Sequence, residues 1–433
     1  MVTKAPQYRG DIAPNGDIVP FRVAARDKVS PEAVRLLTER PHIEVTDDPT
    51  VTQAAIIRSA TKYLTEGDLE AYQHLMYVAR AGVGVDNIAM PLAAERGIAT
   101  VNTPGASTDA VARRSLAHIL SWASRVVQGT DALRKTQWPK NQPEVEPIDL
   151  SEKTLGIIGY GRIGRKTREF AAPHFGRILY TDVRPVEGAT DLETLLREAD
   201  VVSINVSGKE EVLTPERIVT MKPTALIVNT ARGTVVNTAA LLQHLDQGGA
   251  AALDVYPKEG ATMFEIPAVR TLAQHPNFLG TPHTAAADPV TQKKLGIEAA
   301  ERVIEFAEEG TVNPGNLPGH TLPRVSLRDT PLEDDNGNGG GNGSSEDAPR
   351  TRFVLTHPSV PGVLRTVTGI VAEAGENITG LDTKDGKIPT EPRLAMTMFD
   401  IPEQQIPKIL AIRRKIEEAL HPHRMRTLAL GNT

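Results

Sequence analysis

The stretch Thr154-Leu-Gly-Ile-Ile-Gly-Tyr-Gly-Arg-Ile-Gly164 constrains this chain more than any other, because a short apolar run breaks there into glycines at 159, 161 and 164. Leu155 to Ile158 reads as a buried strand. Gly159 permits a tight turn, Gly161 lets the backbone approach a pyrophosphate, and Gly164 lets the following helix pack closely on the sheet. The helix start at Arg162 and Ile163 offers free N–H donors and a partial positive charge to the phosphates. A second strand, Arg177-Ile-Leu-Tyr-Thr-Asp182, ends in an acid eighteen residues past Gly164, near the spacing expected of a ribose ligand. A carboxylate there accepts from ribose hydroxyls and repels a 2′-phosphate, so the expected cofactor is NAD rather than NADP. The bland alternative, a solvated acid beside an ordinary glycine turn, leaves this order of strand, glycines and acid unexplained.

At 433 residues the chain suits about three domains, at roughly 100–200 residues each. Lys and Arg total 48 against 54 Asp and Glu, for a net charge of -6, and aromatics are only 4%. Neither the charge footprint nor the stacking surface of a nucleic-acid binder is expected. The absence of cysteine excludes disulfides, thiolate nucleophiles and cysteine-based metal sites. No apolar run is long enough to span a bilayer and the N-terminus lacks a signal-peptide core, so a soluble cytoplasmic protein without a membrane partner is expected.

Residues 1–20 are polar and punctuated by Pro6, Gly10, Pro14 and Gly16, and read as an irregular extension. From Phe21 to Thr103, short β-branched runs alternate with helical segments, which argues for a parallel sheet covered by helices. A long helix from about Asp109 leads into the glycine motif. Beyond Asp182, apolar runs starting at Asp200, Ala225, Ala250 and Asn277 bring the expected second sheet to six strands. Six is the number in a full doubly wound dinucleotide sheet. The charged helix Val290 to Glu308 is expected to return to the first domain. The boundaries that follow are 21–108 with 286–325 for the first domain and 109–285 for the second. Residues 326–350, rich in Gly, Asn and Asp, read as a flexible linker. Its segment 335–347 would span about 20 Å as a coil, so the tail is expected to be tethered loosely. That tail, residues 351–433, reads strand, helix, strand, strand, helix, strand, an order that suits a ferredoxin-like domain.

Ligand crevices of open parallel sheets lie at the carboxyl ends of the strands. Arg232, Glu259 and His283 all fall there. Singly, each has a bland reading as a surface ion pair, a solvated loop acid or a satisfied loop histidine. Together they supply what hydride transfer from a 2-hydroxy acid needs. Arg232 can hold the substrate carboxylate through two parallel hydrogen bonds. His283 can take the hydroxyl proton, and Glu259 can orient the ring and raise its pKa. Arg58, Ser59 and Thr61 at a strand end, with Arg80, offer guanidinium and hydroxyl donors for a phosphate or carboxylate, or else pair with local acids.

The run 154–164, Asn229-Thr-Ala-Arg-Gly-Thr-Val-Val, Leu253-Asp-Val-Tyr-Pro-Lys-Glu, Thr281-Pro-His-Thr-Ala-Ala-Ala and Arg80-Ala-Gly-Val-Gly-Val-Asp-Asn resemble the D-isomer-specific 2-hydroxyacid dehydrogenases over roughly residues 21–318. The resemblance implies a discontinuous flavodoxin-like substrate domain and a Rossmann NAD domain. It implies Arg232, Glu259 and His283 as the catalytic set, Thr230 among the cofactor contacts, and Asp254 at the nicotinamide amide. It also implies 3-phospho-D-glycerate as the substrate, oxidised in the first step of serine synthesis, and a homodimer or homotetramer. Two departures stand out: Ala112-Arg-Arg-Ser115, where family members usually carry Ala-Glu and apolar residues, and Asn205-Val-Ser207, where His-Val-Pro is common.

The tail resembles ACT-type amino-acid-sensing domains, and His357, Ser359 and Asn377 fall where such domains bind serine, with Ser359 in place of an Asn. A purely structural dimerisation module is the other reading of the tail. For the whole chain the alternatives are a glyoxylate or hydroxypyruvate reductase and, from another class, a nucleotide-sensing transcriptional corepressor.

Overall fold

The computed structural model describes residues 8–59, 65–312, 350–358, 362–385, 394–402, 405–422 and 424–430. Thr61, Ser359 and the expected linker up to residue 349 lie outside the described residues. The chain forms two compact units, one of residues 1–106 with 292–433 and one of residues 107–291. Among the described residues no helix is long and apolar enough to cross a membrane.

The first unit opens with β1 (Tyr8–Ile12) and β2 (Ile18–Val19), followed by β3 (Phe21–Ala25), β4 (Ile43–Val45), β5 (Ala54–Ile57), β6 (Tyr77–Arg80) and β7 (Ala99–Asn102). Strands β3 to β7 form a parallel sheet in the order β4-β3-β5-β6-β7. Successive residues of one strand feed different cores: Ala54, Ile56, Tyr77 and Ala79 join one cluster, and Ala55, Ile57 and Val78 join another. Burial on both faces is why these strands read as continuous apolar runs.

The second unit starts with α1 (Thr108–Ala123) and contains β8 (Thr154–Ile158), α2 (Arg162–Ala171), β9 (Arg177–Thr181), β10 (Val201–Ile204), β11 (Leu226–Asn229), β12 (Ala250–Leu253) and β13 (Phe278–Gly280). Its six strands are parallel, in the order β13-β12-β11-β10-β8-β9. Strand order therefore reverses at β8, and the glycine motif leaves the sheet at the β8/β10 switch point, where crevices form in open α/β sheets. Helix α3 (Pro289–Glu309) carries the chain back into the first unit.

The tail comprises β14 (Arg350–Pro358), α4 (Val363–Glu373), β15 (Gly380–Asp385), β16 (Leu394–Ile401), α5 (Ile406–Leu420) and β17 (Arg424–Leu430). Its antiparallel sheet runs β15-β16-β14-β17-β1-β2. Both helices cover one face, where Phe353, Leu355, Val367, Val371, Phe399 and Ile412 share a core.

Two expectations are corrected here. Residues 1–20 are not an irregular extension throughout, because β1 pairs antiparallel with β17 and so extends the tail's sheet. Tyr-Arg-Gly-Asp-Ile lacks a strand-like alternation and carries a register shift between Tyr8 and Gly10, so the partner edge, not local propensity, makes it a strand. The tail is also docked, not merely tethered. Val354, Met396, Met398 and Leu428, on the face away from the tail helices, pack into the core that holds Phe21, Val303 and Phe306. A linker's composition speaks only for the covalent connection, whereas an apolar sheet face must be buried somewhere.

Two buried arginines of the tail complete this docking at the C-terminal end of α3. Arg426 pairs with Asp11 at 2.7 Å, donates to the carbonyls of Phe306 and Ala307 at 2.6 and 2.7 Å, and lies 4.1 Å from the centre of the Phe21 ring. Arg352 grips Asp400 with two 2.7 Å bonds and donates to the Glu309 carbonyl, also at 2.7 Å. The last carbonyls of a helix carry partial negative charge, and the guanidinium groups add donors at Ala307 and Glu309 and a second one at Phe306, whose carbonyl also accepts from the Gly310 N–H. Because Asp11 and Arg426 are both buried, Asp11→Ala would strand a charge, and it should cost about 3–5 kcal/mol, read as a lowered midpoint in urea unfolding of the full chain.

Candidate active site

Parallel register aligns the site before any side chain is considered. Thr181, Ile158, Ile204, Asn229, Leu253 and Gly280 pair in one row across the sheet of the second unit. The residues immediately after them are Asp182, Gly159, Asn205, Thr230, Asp254 and Thr281. Every loop of the expected site thus leaves the sheet at the same level.

At the glycine turn, Gly159 has φ +87°, and a Cβ on it would lie 2.7 Å from the Asn205 carbonyl oxygen. A Cβ on Gly164 would lie 2.0 Å from the oxygen of Gly159, so turn and helix close on each other only without side chains. Gly161 behaves differently. Its nearest neighbour to an added Cβ is an Arg184 nitrogen 3.9 Å away, which leaves its surface open. No side chain caps α2, so the N–H groups that begin at Arg162 and Ile163 stay available to a pyrophosphate. Asp182 accepts from the Tyr160 N–H at 2.8 Å and the Arg184 N–H at 3.0 Å. Burial works to raise its pKa, but these two amides and the Arg184 guanidinium outweigh it and hold the carboxyl below its ordinary range. Asp182 also lines an open depression with Arg184, Glu187 and Thr190. This cradle fits a dinucleotide whose ribose meets a charged carboxylate. Thr230 is buried and shares a 2.8 Å hydrogen bond with Ser115.

The loops after β11 and β12 meet through one glycine. A Cβ on Gly233 would fall 1.8 Å from the Tyr256 carbonyl carbon, so only glycine lets the Arg232 loop lie against the Glu259 loop. Glu259 uses both oxygens, one accepting from the Tyr256 N–H at 3.2 Å and the other meeting His283 Nδ1 at 2.6 Å. A carboxylate only accepts, so Nδ1 carries the proton and the neutral ring keeps its lone pair on Nε2. The Glu259 hydrogen bond, aided by the charges of Glu259 and Asp254, holds His283 above its ordinary 6.5 against burial and Arg232. Burial works to raise Glu259, but the hydrogen bond and charge of His283, the Tyr256 N–H and the Arg232 charge hold its carboxyl below its ordinary range. Arg232 therefore lies within electrostatic reach of both partners. Its own Nη1 donates to the Ala231 carbonyl at 2.8 Å. His283 itself sits at φ +52°, in the left-handed region, a conformation that costs a non-glycine residue roughly 1–3 kcal/mol and tends to mark functional sites.

Asp254, expected at the nicotinamide amide, is fully buried, and its two oxygens take three donors: the Thr281 hydroxyl and the N–H groups of Thr284 and Ala285. No local pattern in the sequence marks this setting. Neither His118, which meets Thr281, nor Arg114, which approaches the carbonyl and hydroxyl of Thr284 at 3.4 Å, is among the expected site residues. A signal existed: Ser115 and His118 occupy the buried face of α1 beside Ala112, Ile119 and Trp122, and polar side chains at core positions need partners. One of the two departures from the family pattern, Arg113-Arg114, thus supplies a contact to the loop that carries His283.

In the first unit, Arg58 follows β5, and its guanidinium donates to the carbonyls of Asp27 and Lys28 at 3.4 and 3.2 Å and to the Gln292 side chain. These guanidinium partners are neutral oxygens, while the Asp27 carboxylate accepts from the main-chain N–H of Arg58 at 3.0 Å. Ser59 beside it is exposed. Arg80 ends β6 half-buried, with its guanidinium folded over Gly82, where an added Cβ would meet Nη1 at 1.3 Å. In the tail, His357 is buried and shares a 3.0 Å bond with Thr397, which in turn meets Thr383 at 2.8 Å, while Asn377 is exposed.

Residues 116–285 match the family described as the NAD binding domain of D-isomer specific 2-hydroxyacid dehydrogenases. The chain is 35% identical over 307 residues to the hydroxypyruvate reductase of Thermotoga maritima, covering 66% of this chain and 98% of that one. It is 31% identical over 331 residues to the D-3-phosphoglycerate dehydrogenase of Methanocaldococcus jannaschii, covering 70% of this chain but 62% of that longer relative. The D-lactate dehydrogenase of Aquifex aeolicus, solved with NAD and lactic acid, shares the fold at a TM-score of 0.58 and 24% identity, over 66% of this chain and 95% of its own.

The charge state of the Glu259–His283 pair sets a pH dependence. Protonated His283 stabilises the fold below its ordinary 6.5, and that contribution is lost as pH rises through the raised value. Ionised Glu259 stabilises it above its ordinary 4.5, and that contribution is lost as pH falls through the depressed value. The pair is therefore strongest between those two ordinary values. A proton-accepting His283 must be neutral, so kcat/KM for oxidation should rise with pH through a midpoint above 6.5, and Glu259→Gln should move that midpoint down towards 6.5 in a pH–rate profile.

Proposed function

Because the chain belongs to the D-isomer-specific 2-hydroxyacid dehydrogenases, a family of NAD-dependent enzymes, we propose that it is a D-3-phosphoglycerate dehydrogenase, oxidising 3-phospho-D-glycerate to 3-phosphooxypyruvate at the head of serine synthesis. The 2.6 Å contact between His283 and Glu259 carries the chemical part of this reading, since it leaves Nε2 as the one ring nitrogen able to take a hydroxyl proton. Bound NAD supplies the acceptor for the C2 hydride. The Gly159–Gly164 turn with the N–H groups at Arg162 and Ile163 would hold its pyrophosphate and Asp182 its ribose, with Thr230 just past the strand end at Asn229. Arg232 clamps the substrate carboxylate in a bidentate pair, which fixes the face that C2 presents. His283 Nε2 removes the C2 hydroxyl proton, and Glu259 holds the imidazolium that results.

The phosphate is assigned to Arg58, Ser59, Thr61 and Arg80. Support comes from the place of Arg58 after a strand end, where its guanidinium, bonded to the carbonyls of Asp27 and Lys28 and to the Gln292 side chain, is of the type that binds phosphate. The tail is read as a ferredoxin-like ACT-type domain that senses an amino acid, serine being the expected effector at His357, Ser359 and Asn377. Its strand and helix order supports this. Assembly is proposed as a homodimer through the cofactor domain, or a homotetramer through added tail contacts. A second reading, a hydroxypyruvate or glyoxylate reductase, is favoured by the match to nearly the full length of the Thermotoga relative, which the tail of this chain extends beyond.

The deciding measurement is NAD reduction by the purified protein with 3-phosphoglycerate against a panel of unphosphorylated 2-hydroxy acids, with and without serine. The proposal expects 3-phosphoglycerate to give the highest kcat/KM, and Arg58→Ala to raise KM for it at least about tenfold more than for D-glycerate. Equal losses on both substrates would sink the phosphate assignment. His283→Asn should lower kcat by about 10²–10⁴-fold while NADH affinity, followed by fluorescence titration, stays within about twofold. Near-normal turnover in that variant would remove His283 from the mechanism.

A further inference from the structure

Under the His283 loop a half-buried Thr281 links two buried polar groups, His118 and Asp254, into a chain for which hydride and proton transfer have no direct use. The Thr281 hydroxyl donates to Asp254 Oδ1 at 2.5 Å. A hydroxyl has a single proton, so Thr281 can then only accept at its 3.2 Å contact with His118 Nε2. Nε2 of His118 is therefore the protonated nitrogen. Burial keeps this ring below its ordinary 6.5, outweighing the Ala252 carbonyl and the Asp254 carboxylate, so it is the neutral tautomer that donates. At the other end of the chain, Asp254 gathers three successive amides of the catalytic loop. Its carbonyl accepts from the His283 N–H at 2.8 Å, and its carboxylate from those of Thr284 at 3.1 Å and Ala285 at 3.0 Å.

We infer that His118, Thr281 and Asp254 are positioning residues that aim the His283 ring by clamping the 281–285 backbone. Three observations converge on this. Asp254 has no exposed surface, and its carboxylate accepts from three donors that all belong to the loop itself. His283 holds a left-handed φ of +52°, which persists only where the surroundings over-determine it. His118 belongs to α1, so the clamp ties the loop to the long helix that opens the second unit. The direction of Nε2 follows from the loop backbone, and a misplacement of about 1 Å in such a group costs about 10²-fold in rate.

The inference rests on His283 as the base, so its test needs one readout that does not depend on turnover. Thr281→Val and His118→Leu each cut the chain, and Thr281→Ser keeps the hydroxyl. In both cutting variants, amide exchange at Thr284 and Ala285, followed by hydrogen-exchange mass spectrometry of the 281–288 segment, should quicken about tenfold while the glycine turn is unchanged. kcat should fall about 10–100-fold with substrate KM and NADH affinity held within about twofold, and Thr281→Ser should recover most of it. If Thr281→Val fails to melt cooperatively, His118→Leu, which leaves the Thr281–Asp254 bond in place, gives the same readout. Unchanged exchange, kcat within twofold of the parent, or a loss of NADH affinity that matches the loss of kcat would each overturn the inference. Should the parent oxidise no 2-hydroxy acid at all, the functional reading fails, while the exchange rates still decide whether the chain clamps the loop.

Discussion

The second unit depends on the in-register pairing of its parallel strands. One row of residues, from Thr181 through Ile158, Ile204, Asn229 and Leu253 to Gly280, ends every strand at a common level. Parallel strands need long crossovers, so these loops come from points spread over about a hundred residues of sequence, yet all emerge side by side. A slip of one residue in any strand would turn its side chains to the other face and separate the groups that now follow the row. The buried apolar runs on both faces hold that register.

On that platform, small residues decide how close the loops come. Gly233 brings the Arg232 loop onto Tyr256 and Pro257, and Glu259, folded back onto the Tyr256 N–H, presents its second oxygen to His283. His283 is then held twice, from its ring by Glu259 and from its backbone by the Asp254 carbonyl. The Glu259 hydrogen bond, with the charges of the Glu259 and Asp254 carboxylates, raises the pKa of the ring against partial desolvation.

The first unit obeys a different constraint, the need to close a helix end and a sheet face away from water. Helix α3 stops at Glu309 with carbonyls that require donors, and the tail's sheet has one apolar face left over by its own helices. Arg352 and Arg426 answer the first need and Val354, Met396, Met398 and Leu428 the second. β1 adds a strand to the same sheet and brings Asp11 to neutralise Arg426. The tail is thereby bound both to the strand at residues 8–12 and to the end of α3.

Much of this was legible in the residues alone. Apolar runs, the glycine spacing and the acid at 182 identified the sheets, the cofactor and its turn, because each is a local pattern with a local physical cause: strand burial, backbone freedom and charge. Glu259 and His283, both singled out from their places after strands, meet at 2.6 Å. The docked tail, the strand at residues 8–12 and the burial of Asp254 were not legible, since each depends on a partner far away in sequence: β17 for Tyr8–Ile12, the α3 carbonyls for Arg426, and Thr281 with His118 for Asp254. Sequence by itself determined which groups the chain possesses and which elements carry them. Only the tertiary structure decided which charges are buried against each other, because desolvation and hydrogen-bond geometry are properties of where the chain folds back on itself.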